Sequence, residues 1–371
     1  MEAWRTIRLG DACATNTDSY SPKEGWRFVN YLDTGNITDN IIDSIQYIDM
    51  ETDKLPSRAR RKVKKNNIVY STVRPNQRHF GIIKTQPENF LVSTGFAVID
   101  TNDELLNADF LYYLLAQPAL VETLHAIAEQ STSAYPSIKP SDIEDLEIVI
   151  PSLATQKKIA GILCSMDKKI THNTEVNENL LQQAQAIYID MFIANAKESW
   201  QAGRLSDLIA VRYGKDHKKL ADGAYPVYGS GGIMRYVEKP LYDRESVLIP
   251  RKGSLNNVLY VNEPFWSVDT MFFTEMKLPN VAKFVFHFVK SKDLASLNAG
   301  SAVPSMTTDI LNAMELPLPD ADTLSKFEEI VAPMYLTIQQ NTRESAKLAE
   351  FRDALLPRLM SGKLDISDID L

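Results

Sequence analysis

The residues best equipped for chemistry in this chain are cations and carboxamides gathered in short runs. Arg58, Arg60, Arg61, Lys62, Lys64 and Lys65 crowd together; such a run can neutralise phosphates or form a solvated basic face, and both readings stay open. Arg74, Asn76, Gln77 and Arg78 follow a β-branched and aromatic run at 67–73. Guanidinium and carboxamide forks are the groups that pair with guanine and adenine edges in a major groove. The same chemistry returns in Arg251, Lys252, Ser254, Asn256 and Asn257, after a second run at 246–249. Tyr228, Gly229, Ser230, Gly231 and Gly232 form a flexible turn with Arg235 nearby. No Gly-Lys-Ser/Thr follows it and no helix clearly opens on it, so a contact or structural loop is expected rather than a phosphate cradle.

Groups for covalent or metal chemistry are not arranged for it. His79, His125, His172, His217 and His287 have no metal-ligand spacing among themselves or with Cys13 and Cys164, which are expected to be reduced and structural. Nucleophile-elbow, zinc-protease, P-loop and dinucleotide-binding signatures are missing, as is the Asn/Asp-Pro-Pro-aromatic run of adenine methyltransferases. No cofactor or metal is expected on this chain. The formal net charge of −8 argues against coating of nucleic acid without regard to sequence, unless the cations are confined to contact loops. With 44% apolar and 24% charged residues in 371 positions, the chain reads as an ordinary globular protein of about two domains. The start of the sequence lacks a leader pattern and nowhere does a membrane-length apolar run occur, which points to the cytoplasm.

The elements that must position these residues are organised by an internal repeat. At an offset of 168, Pro136-Ser137 aligns with Pro304-Ser305, Glu147 with Glu315, Pro151 with Pro319, Thr155 with Thr323, Lys158 with Lys326 and Ile162 with Ile330. The match continues without a gap through Met166 and Met334, Ile170 and Ile338, Asn173-Thr174 and Asn341-Thr342, and Leu180 and Leu348. Both copies carry a stripe in alternating steps of four and three. It runs Met166, Ile170, Asn173, Asn177, Leu180, Ala184, Ile187, Met191 in the first copy and Met334, Ile338, Asn341, Ser345, Leu348, Arg352, Leu355, Leu359 in the second. That is a coiled-coil seam whose polar middle penalises wrong registers. The segment 155–194 would make a rod roughly 60 Å long at about 1.5 Å per residue, and the two rods are expected to pair with each other.

Before each rod lies a segment of mixed character. Strands are expected at 67–73 and 91–99 and a helix at 109–127; the second half follows the same order with strands at 246–249, 258–261 and 271–274 and a helix at 281–289. The segments 89–98 and 263–272 occupy equivalent places, whereas the loops between diverge. Two copies of one fold with different loops suit a protein that reads two different short targets.

Pro151, Gln156, Ile159, Leu163, Asp167 and Ile170 resemble the conserved helical region of type I restriction-modification specificity subunits. Leu355-Leu356 through Leu359, Ser361, Gly362 and Lys363 are similar to the close of their second spacer. Tyr225-Pro226-Val227-Tyr228-Gly229-Ser230-Gly231-Gly232 and Ile249-Pro250-Arg251-Lys252-Gly253 resemble a pattern of their recognition domains. The second helix departs from the pattern, with Leu324 where the first has Gln156 and Tyr335 where the first has Asp167, and the first domain lacks a Tyr-Gly-Ser-Gly-Gly run.

The resemblance implies an α+β protein with a pseudo-two-fold repeat: target-recognition domains at 1–151 and 197–319, separated by spacer helices at 152–196 and 320–371 that pair as an antiparallel coiled coil. It also implies a non-catalytic subunit that binds a bipartite double-stranded DNA site. Methyltransferase subunits carrying S-adenosylmethionine, usually two, would dock on it, and restriction subunits would join the full complex. The helices would set the gap between half-sites. Gln156, Ile159, Met166, Asp167, Ile170, Asn173, Leu180, Met334, Ile338, Asn341 and Leu348 are the expected spacer and partner-helix residues. A catalytic chain of unrecognised type and a protein-only scaffold that dimerises through the seam are the competing readings.

Overall fold

A computed structural model describes residues 4–131, 135–297, 305–364 and 366. Pro304, one of the repeat identities, lies outside the described residues. The chain divides into two compact units, residues 1–172 with 344–371 and residues 173–343, so the cut falls inside both long helices.

In the first unit, Phe90–Ser93 lies between Phe28–Leu32, to which it runs parallel, and Ala59–Lys62; Gln46–Asp49 completes that four-stranded sheet. A second, antiparallel sheet has the order Cys13–Thr15, Phe96–Thr101, Ile68–Ser71, Phe80–Ile82. The expected single strand at 91–99 is therefore two strands in two sheets. Thr94-Gly95 turns the chain between two runs that are both fully buried, and a continuous apolar run does not reveal where such a turn falls. The expected helix at 109–127 is also two, Ala108–Leu115 and Pro118–Glu129. Pro118 has no N–H to continue the first helix but suits the first turn of the next.

The second unit follows the same plan. Ile209–Tyr213, Met271–Met276, Ser246–Pro250 and Leu259–Val261 form one antiparallel sheet, and Gly232–Val237, Tyr225–Gly229 and Trp266–Ser267 form another. Trp266–Ser267 runs parallel to Tyr225–Gly229, as Phe90–Ser93 does to Phe28–Leu32. In each unit an outer strand, Arg5–Arg8 or Gln201–Arg204, pairs antiparallel with the strand that leads into a long helix, Glu147–Ile150 or Glu315–Leu318.

Proline and an oxygen-bearing cap start both helices. Ser152 Oγ accepts from Thr155 N at 3.4 Å before Leu153–Ile189, and Asp320 Oδ1 accepts from Thr323 N at 2.8 Å before Ala321–Met360. Within the first unit Asp167 meets Arg352 and Lys169 meets Glu344; within the second, Asn173 meets Asn341 and Tyr188 meets Phe327. Rising numbers on one helix face falling numbers on the other, so the pairing is antiparallel in both units.

The seam departs from the expected stripe toward the far end of the first helix. Tyr188 and Phe192 are buried where Ile187 and Met191 are only partly so, and on the second helix Tyr335 is buried in place of Met334. A straight helix drifts about 20° per heptad from a 3.5-residue repeat, so without supercoiling the core face passes to the neighbouring residue. The helix also stops being α-helical at Ile189: Asp190–Ala194, which the expected rod included, is a π turn closed by Asn195 N donating to Asp190 O at 3.0 Å.

Candidate nucleic-acid interface

In the second unit the glycine-rich turn is a hairpin whose paired ends, Gly229 and Gly232, leave Ser230-Gly231 as a two-residue tip. The loop after Ser246–Pro250 folds against this tip. Asn257 Nδ2 donates to Ser230 O at 2.8 Å, and Gly253, at φ +83°, lies so close that a Cβ there would sit 2.8 Å from Ser230 Oγ. The left-handed backbone favours glycine there, and a Cβ would displace the Ser230 hydroxyl. Arg251 N donates to Thr270 O and Arg251 O accepts from Met306 N, which fixes the residue between two loops. Its guanidinium carbon lies over the Tyr213 ring, 5.4 Å from the centroid, and Nη1 donates to Asp269 O at 3.2 Å. Lys252 is exposed beside it. Ser230, Arg251, Lys252 and Asn257 are thus brought to one edge.

Three expected contact residues point elsewhere. Asn256 is spent on the 293–295 turn, donating to Asp293 Oδ1 at 3.1 Å and accepting from Ala295 N at 3.1 Å. Arg235 donates to Leu220 O and to Asp222, each at 2.9 Å. Tyr228 is part-buried with its hydroxyl toward Glu263, and burial beside that carboxylate pushes the phenol well above its ordinary value. Each of the three thus has a partner within the chain.

In the first unit the basic run is dispersed by strand geometry. Alternation along Ala59–Lys62 sends Arg60 outward and Arg61 inward, where burial lowers the pKa of its guanidinium and leaves Nε without a partner. Lys62 pairs with Glu24 at 2.6 Å and sits over Trp26, and Lys64 pairs with Asp100 at 3.3 Å. Arg58 is exposed, and its carbonyl accepts from Thr94 N at 2.8 Å. Arg78 ties the hairpin at 37–42 to the core: Nε donates to Asp39 Oδ1 at 2.7 Å and Nη2 to Ala116 O at 3.2 Å. Asn76 and Gln77 are exposed on the turn Pro75–Gln77. Arg74 is exposed, at φ +48°, with its guanidinium over the Tyr135 ring at 5.3 Å.

Hydrogen bonding refines how the two units correspond. Thr72 N donates to Gly95 O and Thr72 O accepts from Ile138 N, as Arg251 does with Thr270 and Met306. Val73 bridges to Ser137 as Lys252 bridges to Ser305. Arg251 therefore stands level with Thr72, and Arg74 with Gly253, the two left-handed positions. Strand registers also pair Leu91 with Tyr31 and Trp266 with Val227, which places Thr34-Gly35 where the second unit has Ser230-Gly231. Thr34 packs on Gly95, whose Cβ would lie 2.9 Å from Thr34 Cγ2. Sequence reading missed this first-unit tip; Gly35-Asn36-Ile37 against Gly231-Gly232-Ile233 was the available signal.

The helix residues divide by burial. Gln156, fully buried, accepts from Asn107 N at 2.9 Å and donates to Leu105 O and Pro151 O at 3.1 and 3.0 Å, and Ile159 is buried in the same core. Asp167 accepts from Tyr113 Oη at 2.5 Å and from Arg352 Nη1 at 2.6 Å. Asn173 is buried, donating to Asn341 O at 3.4 Å, and Asn341 Nδ2 donates to Asn177 Oδ1 at 2.9 Å. Met166, Ile170, Leu180, Met334, Ile338 and Leu348 are half-buried. Gln156, Ile159 and Asn173 are consumed within the chain and offer little surface to a partner.

The family model of the type I restriction modification DNA specificity domain matches residues 1–182 and 197–349. The chain is 22% identical to the type I restriction enzyme HindI specificity subunit of Haemophilus influenzae, covering 98% of this chain and 100% of that one. It is also 22% identical to the MjaIX specificity subunit of Methanocaldococcus jannaschii, over 78% and 76% of the two chains. Its fold is similar to that of the type I restriction-modification S subunit from M. genitalium, with a TM-score of 0.64 at 19% identity over 96% of each chain. With the model matching most of the chain, in both units, the protein belongs to the type I restriction-modification DNA specificity family, the subunits that recognise the DNA target.

Proposed function

We propose that this chain is the non-catalytic reader of a bipartite double-stranded DNA site, each unit supplying one reading edge. The observation that carries this is the recurrence, in two units of one plan, of an arginine over a tyrosine in the loop after the matched strand, with a small-residue tip packed on the same group of loops: exposed Arg74, with Thr34 on Gly95, and half-buried Arg251, with Ser230 against Gly253 and Asn257. The recognition segments are 1–151 and 197–319, and the segments 152–196 and 320–371 act as the spacer. Two methyltransferase subunits, carrying S-adenosylmethionine, dock on the spacer side, and restriction subunits complete the assembly. Phosphate contacts fall to Arg58, Arg60 and Lys252, and base contacts to Arg74, Asn76, Ser230 and Arg251.

The spacer sets the gap, because two readers joined by helices of set length favour half-sites a set distance apart. Deleting one matched heptad from each long helix changes the gap in the methylated motif and leaves both half-site sequences intact. The measurement is a genome-wide methylation map in a host supplied with the methyltransferase, with and without this chain. Altered half-sites at an unchanged gap overturn the spacer role, and an unchanged map on removal of the chain overturns the reading role.

A further inference from the structure

We infer that the two arginine-over-tyrosine pairs, exposed Arg74 over Tyr135 and half-buried Arg251 over Tyr213, are guanine-reading heads, with the tyrosines as positioning residues. The inference rests on the DNA-reading function above and names the base class that function selects. The ring centroids lie 5.3 and 5.4 Å from the guanidinium carbons. Tyr135 is 61% exposed and Tyr213 53% exposed. Tyr213 is itself held edge-on against buried Phe272, at 5.1 Å between centroids, so its ring has a fixed place beneath the arginine.

The pairs are built from non-corresponding parts. Arg251 stands level with Thr72, two residues before the position of Arg74. Tyr213 ends a strand that enters the domain, Ile209–Tyr213, whereas Tyr135 precedes the Pro136-Ser137 segment that leaves it. A feature inherited from the repeat would recur on matched residues. Here the same pair recurs on unmatched ones, at the same edge, while the matched residues Thr72 and Gly253 carry neither part. That pattern marks the pair, rather than the scaffold, as what the two sites share.

The geometry suits a particular ligand. Each ring holds the cation over its face, with the guanidinium carbon 5.3 or 5.4 Å from the centroid, and the N–H groups not spent on the chain are those that make the bidentate contact to guanine O6 and N7. In the second unit the Nη1 bond to Asp269 O further limits rotation of the plane. An arginine whose plane is set before contact loses less side-chain freedom on binding, and a fixed fork favours two parallel bonds over one. Each half-site therefore contains a guanine read by its paired arginine.

The test is selection of bound sequences from a randomised DNA pool by the complete complex with its methyltransferase, for the parent chain, Tyr213→Ala, Tyr213→Phe and Arg251→Lys. Thermal unfolding of each variant is recorded alongside. Tyr213→Ala and Arg251→Lys each lower the preference for G·C at one position of one half-site by about 5- to 150-fold and leave the other half-site unchanged. Tyr213→Phe keeps the ring and the preference. An unchanged base profile in Tyr213→Ala or Arg251→Lys overturns the inference, as does an equal loss at all positions in a folded variant. A parent complex that selects no sequence overturns the underlying reading function itself, a result distinct from both.

Discussion

The two units anchor their long helices with different mixtures of polar and aromatic contact. In the first, the helix that begins after Pro151 is tied by a buried carboxamide, Gln156, and by Asp167 held between Tyr113 and Arg352. In the second, the matching positions are Leu324 and Tyr335, set in an aromatic cluster with Phe327, Tyr188, Phe192 and Phe284. Tyr335 Oη bonds His287 Nε2 at 2.9 Å, and His287 Nδ1 meets Gln185 Oε1 at 2.7 Å. The short helix that follows the sheets supplies the partner in both, Tyr113 in one and His287 in the other. One position in the repeat thus keeps the contact while exchanging which side brings the ring. Both anchors hold directional bonds, the second through Tyr335 and through buried Lys283 to Glu328 at 2.7 Å; what the second adds is aromatic burial, which stabilises without fixing one orientation.

The comparison breaks most visibly at Gln156. Gln156→Leu fills the volume but strands Asn107 N and two carbonyls, and a loss of roughly 3–5 kcal/mol is expected because each buried group left unpaired costs roughly 1–3. Urea denaturation measures it; a loss below about 1 kcal/mol means that the polar tie is not what distinguishes the units. The next effect is on pH. Burial, with Lys290 on the same helix, lowers the pKa of His287 to about 4 from an ordinary 6.5, and Tyr188 and Phe327 close around the ring. The unfolded chain takes up this proton near pH 6.5 and the folded chain only near 4. Stability from the neutral ring is therefore complete above pH 6.5 and lost as pH falls toward 4, by on the order of 2–3 kcal/mol. Hydrogen exchange along Ala282–Lys290 should rise through that window more than along Ala108–Leu115, and an equal rise in both removes His287 as the cause.

Smaller effects sharpen the contrast. Arg352→Met leaves Asp167 with only the Tyr113 hydroxyl, and a loss of about 1–2 kcal/mol is expected for a pair about one-third exposed. A double-mutant cycle with Asp167→Asn measures the coupling, and additivity would show that the ion pair does nothing. Least of all, Asn177→Leu with Asn341→Leu should raise the urea midpoint slightly, by about 1 kcal/mol or less in stability, while loosening helix register. Disulfide trapping between cysteines introduced along the seam reads that register; a single trapped register in the double variant would show that the asparagines do not specify it.

The repeat, the order of strands and helices in each half and the long helices were legible because each rests on local signals: period, turn residues and the offset of 168. What escaped depended on partners far along the chain. Arg78 looked like a reader until Asp39 and Ala116 claimed its guanidinium, and Asn256 looked free until Asp293 and Ala295 were folded against it. The run 91–99 hid a turn because both of its halves are buried, and buried strands show no alternation. Tyr135 and Tyr213 escaped because nothing in their neighbourhoods marks them until the arginines over them are seen.

The division of the chain also orders its synthesis. Residues 173–343 are contiguous, so the second unit has all its parts once Arg343 has left the ribosome. The first unit needs residues from 344 onward, and Leu359, Met360 and Ile366 fill its largest core. Domains ordinarily complete themselves in the order in which they are made, yet here the unit that starts first closes last. Until then the core of the first unit stays open along the face that Leu359, Met360 and Ile366 cover.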